Sequence, residues 1–189
     1  MRELTYYVAV SLDGFIAGPQ GQFDAFLFEG DHVEAITKRF ADTIPTQLAT
    51  ALGVTQDATT FDTVLMGWNT YAVGLPSMPS PYAHLRQIVF TRRDPDPVEG
   101  VVFTDRDPVE VVRALKGEPG AGIWLCGGGA LAASLVGEID RLVLKVNPLL
   151  FGEGIPLFGP RRYAPAAFTR TATTAFESGV TLLEYRRGA

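Results

Sequence analysis

The chain has 189 residues, 47% of them hydrophobic and 20% charged, which suits one domain with a substantial core. Its net charge is −5, and its 16 basic residues form no cluster larger than adjacent pairs such as Arg92–Arg93, Arg161–Arg162 and Arg186–Arg187. That argues against a nucleic-acid-tracking surface and leaves room for one anionic small molecule.

The single cysteine, Cys126, excludes an internal disulfide and a multi-cysteine zinc site, and it fits a reducing compartment. The opening MRELTYYVAVSLDGF lacks the apolar core and cleavage site of a signal peptide, and no apolar run is long enough to span a bilayer. The expectation is a single cytoplasmic domain over 1–189, with no membrane or nucleic-acid partner.

In chain order, residues 4–11 (LTYYVAVS) read as a buried strand ended by the turn-forming Asp13-Gly14, and 15–18 (FIAG) follow it. Residues 31–44 place Val33, Ile36, Phe40 and Ile44 at helical spacing; Asp31 with Glu34 resembles a capping box, and Pro45 stops or kinks the helix. A short helix over 46–53 ends at Gly53. Strands are predicted at 63–67, 87–91 and 100–103, and the spacing predicts a helix over 107–117 ending at Gly117. Then come a strand at 122–126, a helix at 129–137, a strand at 139–147 and a hairpin within 171–187 around Glu177-Ser178-Gly179. Alternating strands and helices predict an α/β fold with a mainly parallel sheet, helices on its faces and a C-terminal antiparallel hairpin.

Residues 126–131 read CGGGAL at a strand-to-helix handover. Three ordered glycines need a reason, because glycine loses the most backbone entropy on folding. One reason is an anion: free N–H groups and the positive helix end converge there, and Gly127, Gly128 and Gly129 let a pyrophosphate approach without meeting a Cβ. The other is a tight turn with close helix packing. The pattern is not GxGxxG and lacks the acidic ribose ligand of a Rossmann fingerprint. Asp13 in SLDG is tempting as a catalytic acid, but its place in an Asp-Gly turn has a structural explanation. His32 and His84 are isolated, so no metal is expected.

SLDGFIAG after the first strand, LMGWNTY, IVFTRR, LCGGGAL and IDRLVLKVNPLLFGEGIPLF, in this order over nearly the whole chain, resemble the dihydrofolate reductase superfamily. The resemblance is nearest to its branch containing the reductase domain of riboflavin biosynthesis. It implies a three-layer domain around a twisted, mostly parallel sheet, binding NADPH in an extended conformation across the strand ends. By motif, Ala9 and Ile16 would contact the nicotinamide carboxamide through their main chain. Gly67, Asn69 and Thr70 would hold the pyrophosphate from one side, and Gly127, Gly128 and Gly129, with Ala130 and Leu131 behind them, from the other. Thr91 and Arg92 would receive the adenosine 2′-phosphate, with Arg93 a further cofactor-binding residue.

The family usually carries arginine where this chain has Trp68, which removes one charge-assisted hydrogen bond of about 1.5–3 kcal/mol. Arg92 or Arg93 can compensate, and Trp68 is either core or an adenine-side platform. On the substrate side the resemblance offers Asp24 or Asp31 as an acidic anchor, with a turn and a helix cap as their competing roles, and Leu150 or Phe151 as pocket lining. No catalytic side chain is assigned, and a bound water is a candidate proton donor. What the resemblance implies is an NADPH-dependent reductase, working as a homodimer on a ribosylaminopyrimidine-like heterocycle. Dihydrofolate reduction, a non-catalytic nucleotide-binding module and a binder of another phosphorylated ligand are the alternatives.

Overall fold

Strict alternation along the strands places two apolar clusters back to back. In β1 (Leu4–Val10) Leu4, Tyr6 and Val8 face one cluster and Tyr7 the other. In β6 (Gly122–Gly127) Ile123 and Leu125 join the first, and Trp124 and Cys126 the second. This is the period-two signature of a sheet covered on both faces. The computed structural model describes residues 1–188.

The main sheet adds β3 (Phe61–Gly67), β4 (Arg86–Phe90), β5 (Val101–Thr104), β7 (Arg141–Val146), β9 (Phe168–Ala175) and β10 (Thr181–Arg187), in the order β5-β4-β3-β6-β1-β7-β10-β9. Neighbours from β5 to β7 run parallel, whereas β10 is antiparallel to both β7 and β9. On one face lie α4 (Pro108–Gly117), through Val111, Val112 and Leu115, and α5 (Gly129–Ser134), through Leu131 and Ala132. Full burial of each larger apolar side chain contributes about 1.5–3 kcal/mol. On the other lie α1 (Asp31–Arg39), through Ile36, and α3 (Trp68–Ala72), through Tyr71, while α2 (Thr46–Leu52) buries Ala49. The expected mostly parallel sheet with an antiparallel C-terminal hairpin is what is found.

Several boundaries differ for physical reasons. The helix expected over 31–44 stops at Arg39, because Phe40 turns out of it (φ −123°, ψ 42°) to stack on Tyr7 at 4.6 Å in the core. A 3-10 turn, Ala41–Thr43, follows, and its buried Asp42 carboxylate accepts the backbone N–H groups of Ala58, Thr60 and Phe61. The capping box does not form: Gly30 occupies the cap and Asp31 is the first helical residue. The Asp31 carboxylate instead accepts the N–H groups of Glu177 (2.8 Å) and Ser178 (3.0 Å) at the tip of the β9–β10 hairpin. By contrast, Asp107 caps α4 by accepting from Val109 and Glu110. α5 ends at Ser134 rather than 137.

A second, two-stranded sheet joins β2 (Phe15–Ala17) to β8 (Ile155–Pro156), a pairing that neither segment's sequence signals. It fastens the 148–158 loop over the end of β1. Leu157 donates its N–H to the Gly14 carbonyl, Tyr6 donates its hydroxyl to the Leu157 carbonyl, and Leu12 donates its N–H to the Leu149 carbonyl.

Candidate functional site

A cleft of about 920 Å³ opens over the C-terminal ends of the central parallel strands, where Val8 of β1, Gly67 of β3, Phe90 of β4 and Gly127 of β6 reach its floor. Crevices of this kind, outside the carboxyl ends of parallel strands, are where α/β sheets bind ligands. Its walls come from Ile16 and Ala17 of β2, Pro19, Gln20, Gly21 and Phe23 beyond them, α3, α5 and Ile155. None of the side chains lining it is charged.

Two helix N-termini meet in this cleft. α3 begins after Gly67 and α5 after Gly128, and neither has a side-chain acceptor on its first-turn N–H groups. They are close neighbours: a methyl group on Gly67 would stand 3.7 Å from the Gly128 nitrogen. The Gly127–Gly128 peptide bond is cis. The first-turn N–H groups of both helices thus open on one neutral, concave site.

The three glycines divide the work. Gly127 has φ +144°, a conformation that L side chains rarely adopt. At Gly129 an added Cβ would lie 2.2 Å from the Pro156 carbonyl oxygen, and Gly159 donates its N–H to the Gly129 carbonyl at 2.8 Å. Gly129 is therefore fixed by close packing of α5 on the β8 segment. At Gly128 an added Cβ would meet only the Thr70 hydroxyl, at 3.4 Å, so this position faces open cleft.

Of the sequence-derived cofactor candidates, Ile16, Gly67, Trp68, Asn69, Thr70, Gly127, Gly128, Gly129, Ala130 and Leu131 line the cleft together. Ala9 lies beside it on β1, paired with Lys145. Thr91, Arg92 and Arg93 stand just past β4, outside the lining, where Thr91 accepts the Arg93 N–H on its hydroxyl at 3.0 Å. Arg93 nevertheless reaches the site: its guanidinium covers the Trp68 ring at 5.0 Å from the centroid. Trp68 also leans on Tyr71 and Phe103, so it is both packed and cleft-facing.

The substrate-side candidates are not brought together. Asp24 is exposed outside the lining, and Asp31 is occupied by the hairpin tip. Leu150 is 69% exposed, and Phe151 packs against Phe26 at 5.1 Å; the cleft residue of that loop is Ile155. Asp13 is an anchor for the loop: its carboxylate accepts the Ser11 hydroxyl at 2.5 Å and the N–H groups of Phe151 and Gly152. The Ser11 hydrogen bond, then those from Gly152 and Phe151, hold its pKa below the ordinary value against some desolvation. His32 is buried between Ser178 and the Leu27 carbonyl, and His84 bridges Thr46 and the Asp42 carbonyl, so both are structural.

Sequence reasoning missed Cys126, Val8, Phe90, Gln20 and Phe23 as cleft residues. Cys126 could have been found, because it precedes the glycine run and shares the strand face of Trp124. Burial pushes its thiol up to about 12, while a Tyr82 hydrogen bond and the Lys145 ammonium oppose the rise. The thiol therefore stays protonated at neutral pH.

The family model for the RibD C-terminal domain matches residues 2–182, and the chain belongs to that family. It is 33% identical over 165 residues, 83% of either chain, to the uncharacterized protein YwjB of Bacillus subtilis strain 168. Among solved structures, it matches a diaminohydroxyphosphoribosylaminopyrimidine deaminase/5-amino-6-(5-phosphoribosylamino)uracil reductase from Thermotoga maritima with a TM-score of 0.67 at 16% identity, over 99% of this chain and 57% of that one. It matches dihydrofolate reductase from Enterococcus faecalis, complexed with NADP(H), also at 0.67, with 20% identity over 99% of this chain and 97% of that one. The fold is that of the dihydrofolate reductase superfamily. Among the described residues no helix is long and apolar enough to cross a membrane.

Proposed function

We propose that this domain is an NADPH-dependent reductase acting on a small heterocycle of the ribosylaminopyrimidine type. The observation that carries the reading is the pair of uncapped helix N-termini facing each other across a neutral cleft at the strand ends. Family membership supports the same chemistry.

In this reading the N–H groups at Gly67–Asn69 and Gly128–Ala130 hold the pyrophosphate, and Thr70 borders it. Trp68 and Arg93 form a stacked platform at the adenine end, and Arg93 shares the 2′-phosphate with Arg92 beside it. When bound, the cofactor supplies a hydride to an electron-poor C=N or C=O carbon. The protein orients the nicotinamide through the main chain at Ala9 and Ile16, while Val8, Phe23 and Ile155 exclude water. The protonated Cys126 thiol is a neutral hydrogen-bonding group at the floor, held by Tyr82 behind it, and bound water supplies the proton. A homodimer in the cytoplasm completes the proposal.

The absence of a carboxylate from the lining disfavours dihydrofolate reduction, which the resemblance associates with an acidic pterin anchor. The test is loss of reduced-nicotinamide absorbance on mixing protein and NADPH with 5-amino-6-ribosylaminouracil 5′-phosphate or with dihydrofolate. Turnover of the pyrimidine alone is expected. Turnover of dihydrofolate alone would replace the substrate assignment, and no turnover of either despite tight NADPH binding would favour a nucleotide-binding module.

A further inference from the structure

On the sheet face that carries α1, one cation stands without an anionic partner. Lys145 of β7 pairs with Ala9 of β1 and Leu182 of β10, so its side chain shares a face with Tyr7 and Leu182. Its Nζ lies 4.5 Å from the Tyr7 ring centroid, and that ring is also stacked on Phe40. Among the described residues Lys145 forms no ion pair. Two carboxylates on this side are held elsewhere: Glu184 takes Arg39 at 2.7 Å and Arg141 at 3.3 Å, and Asp31 takes the hairpin tip.

Lys145 approaches the cleft across Tyr7: its ammonium lies over that ring, and Cys126, which packs against the same apolar cluster as Tyr7, is part of the cleft lining. A half-buried ammonium held over an aromatic ring, beside a cleft with no charge of its own, is short of a counter-ion. The adjacent lining offers apolar Val8, Phe23 and Ile155 with the neutral amides of Gln20 and Asn69, and it contains no carboxylate to repel an anion.

We propose that Lys145 determines substrate specificity by donating to a ring oxygen of a flat pyrimidine-type ring, binding it most tightly where that oxygen carries negative charge. This deepens the reductase reading and rests on it for the class of ring. Three ammonium donors on a flexible stem suit a single oxygen, whereas Tyr7 fixes where the stem ends.

The test uses two rings of nearly the same shape, barbiturate, an anion at neutral pH, and uracil, which is neutral. Each is titrated calorimetrically into wild-type protein and into Lys145→Met and Lys145→Arg variants, with and without saturating NADP⁺. Wild-type protein is expected to prefer barbiturate by about tenfold, the scale of one charge-assisted hydrogen bond. Lys145→Met should bring the two rings within about twofold of each other, and Lys145→Arg should keep part of the preference. Melting temperature and NADPH affinity of the variants, both expected near wild type, separate a lost contact from a lost fold. Equal binding of the two rings by wild-type protein, an unchanged preference in Lys145→Met, or binding of neither ring would each overturn the proposal. If NADPH fails to bind but the Lys145-dependent preference persists, the reductase reading falls and the anion site stands.

Discussion

Arg93 lays its guanidinium over the indole of Trp68, 5.0 Å from the ring centroid, and so returns a cation to the side of the cleft where the family resemblance leads one to expect arginine. The cation comes from the turn after β4 instead of the first residue of α3. An aromatic ring between the cation and the cleft makes a flat, electron-rich surface suited to adenine. Arg93→Ala is expected to weaken NADPH by about tenfold or more and NADH by less, since a charge-assisted phosphate bond is worth about 1.5–3 kcal/mol. Fluorescence titration with both nucleotides checks this, and equal losses would remove Arg93 from the phosphate site.

Gly128 and Gly129 are neighbours with opposite expected phenotypes. Gly129→Ala drives a methyl group onto the Pro156 carbonyl and should cost about 1–3 kcal/mol of stability, read as a lower melting temperature. Gly128→Ala meets only a hydroxyl at 3.4 Å, so it should melt near wild type yet bind NADPH at least about tenfold more weakly. A Gly128→Ala protein with unchanged affinity would mean that no ligand approaches this backbone.

Asp13 ties the 148–158 loop to the end of β1. Its pKa is lowered in the folded protein, chiefly by the Ser11 hydroxyl, so its contribution to stability is complete above the ordinary value of 3.8 and is lost as the pH falls through the depressed one. Asp13→Asn should reduce stability at neutral pH and flatten the fall on the acid side below 3.8. Chemical denaturation across acidic pH measures both, and a parallel shift of the whole curve would argue against the linkage.

Glu184 is 3% exposed and holds Arg39 and Arg141 together beneath α1. Removing one partner of a buried pair costs about 3–5 kcal/mol; with the Arg39 side chain 48% exposed, Glu184→Gln should cost about 2 kcal/mol. Urea unfolding should show a lower midpoint with an unchanged slope.

The sheet was legible because its strands are short apolar runs closed by Gly, Asp and Pro, and because helices with apolar faces alternate with them. Much of the cleft lining was legible for a related reason: Gly67, Trp68 and Gly127–Gly129 all sit where a strand gives way to a helix, a handover visible in one dimension. What was hidden depends on distant partners. Asp31 looked like a helix cap because its use by Glu177 and Ser178 requires a contact across 146 residues. The β2–β8 pairing joins three residues to two, too short for any periodicity to mark. Lys145 carries no signal in the sequence, because what distinguishes it is its place over the Tyr7 ring on another strand.

The most direct test of the central claim is a titration of the purified protein with NADPH and, separately, NADH, following quenching of tryptophan emission, to which Trp68 in the cleft contributes. Micromolar NADPH binding that exceeds NADH binding, and that weakens in Gly128→Ala without loss of fold, is the expected result. Failure of both nucleotides to bind the folded protein would contradict the claim and leave the paired helix ends as the receptor of a different anion.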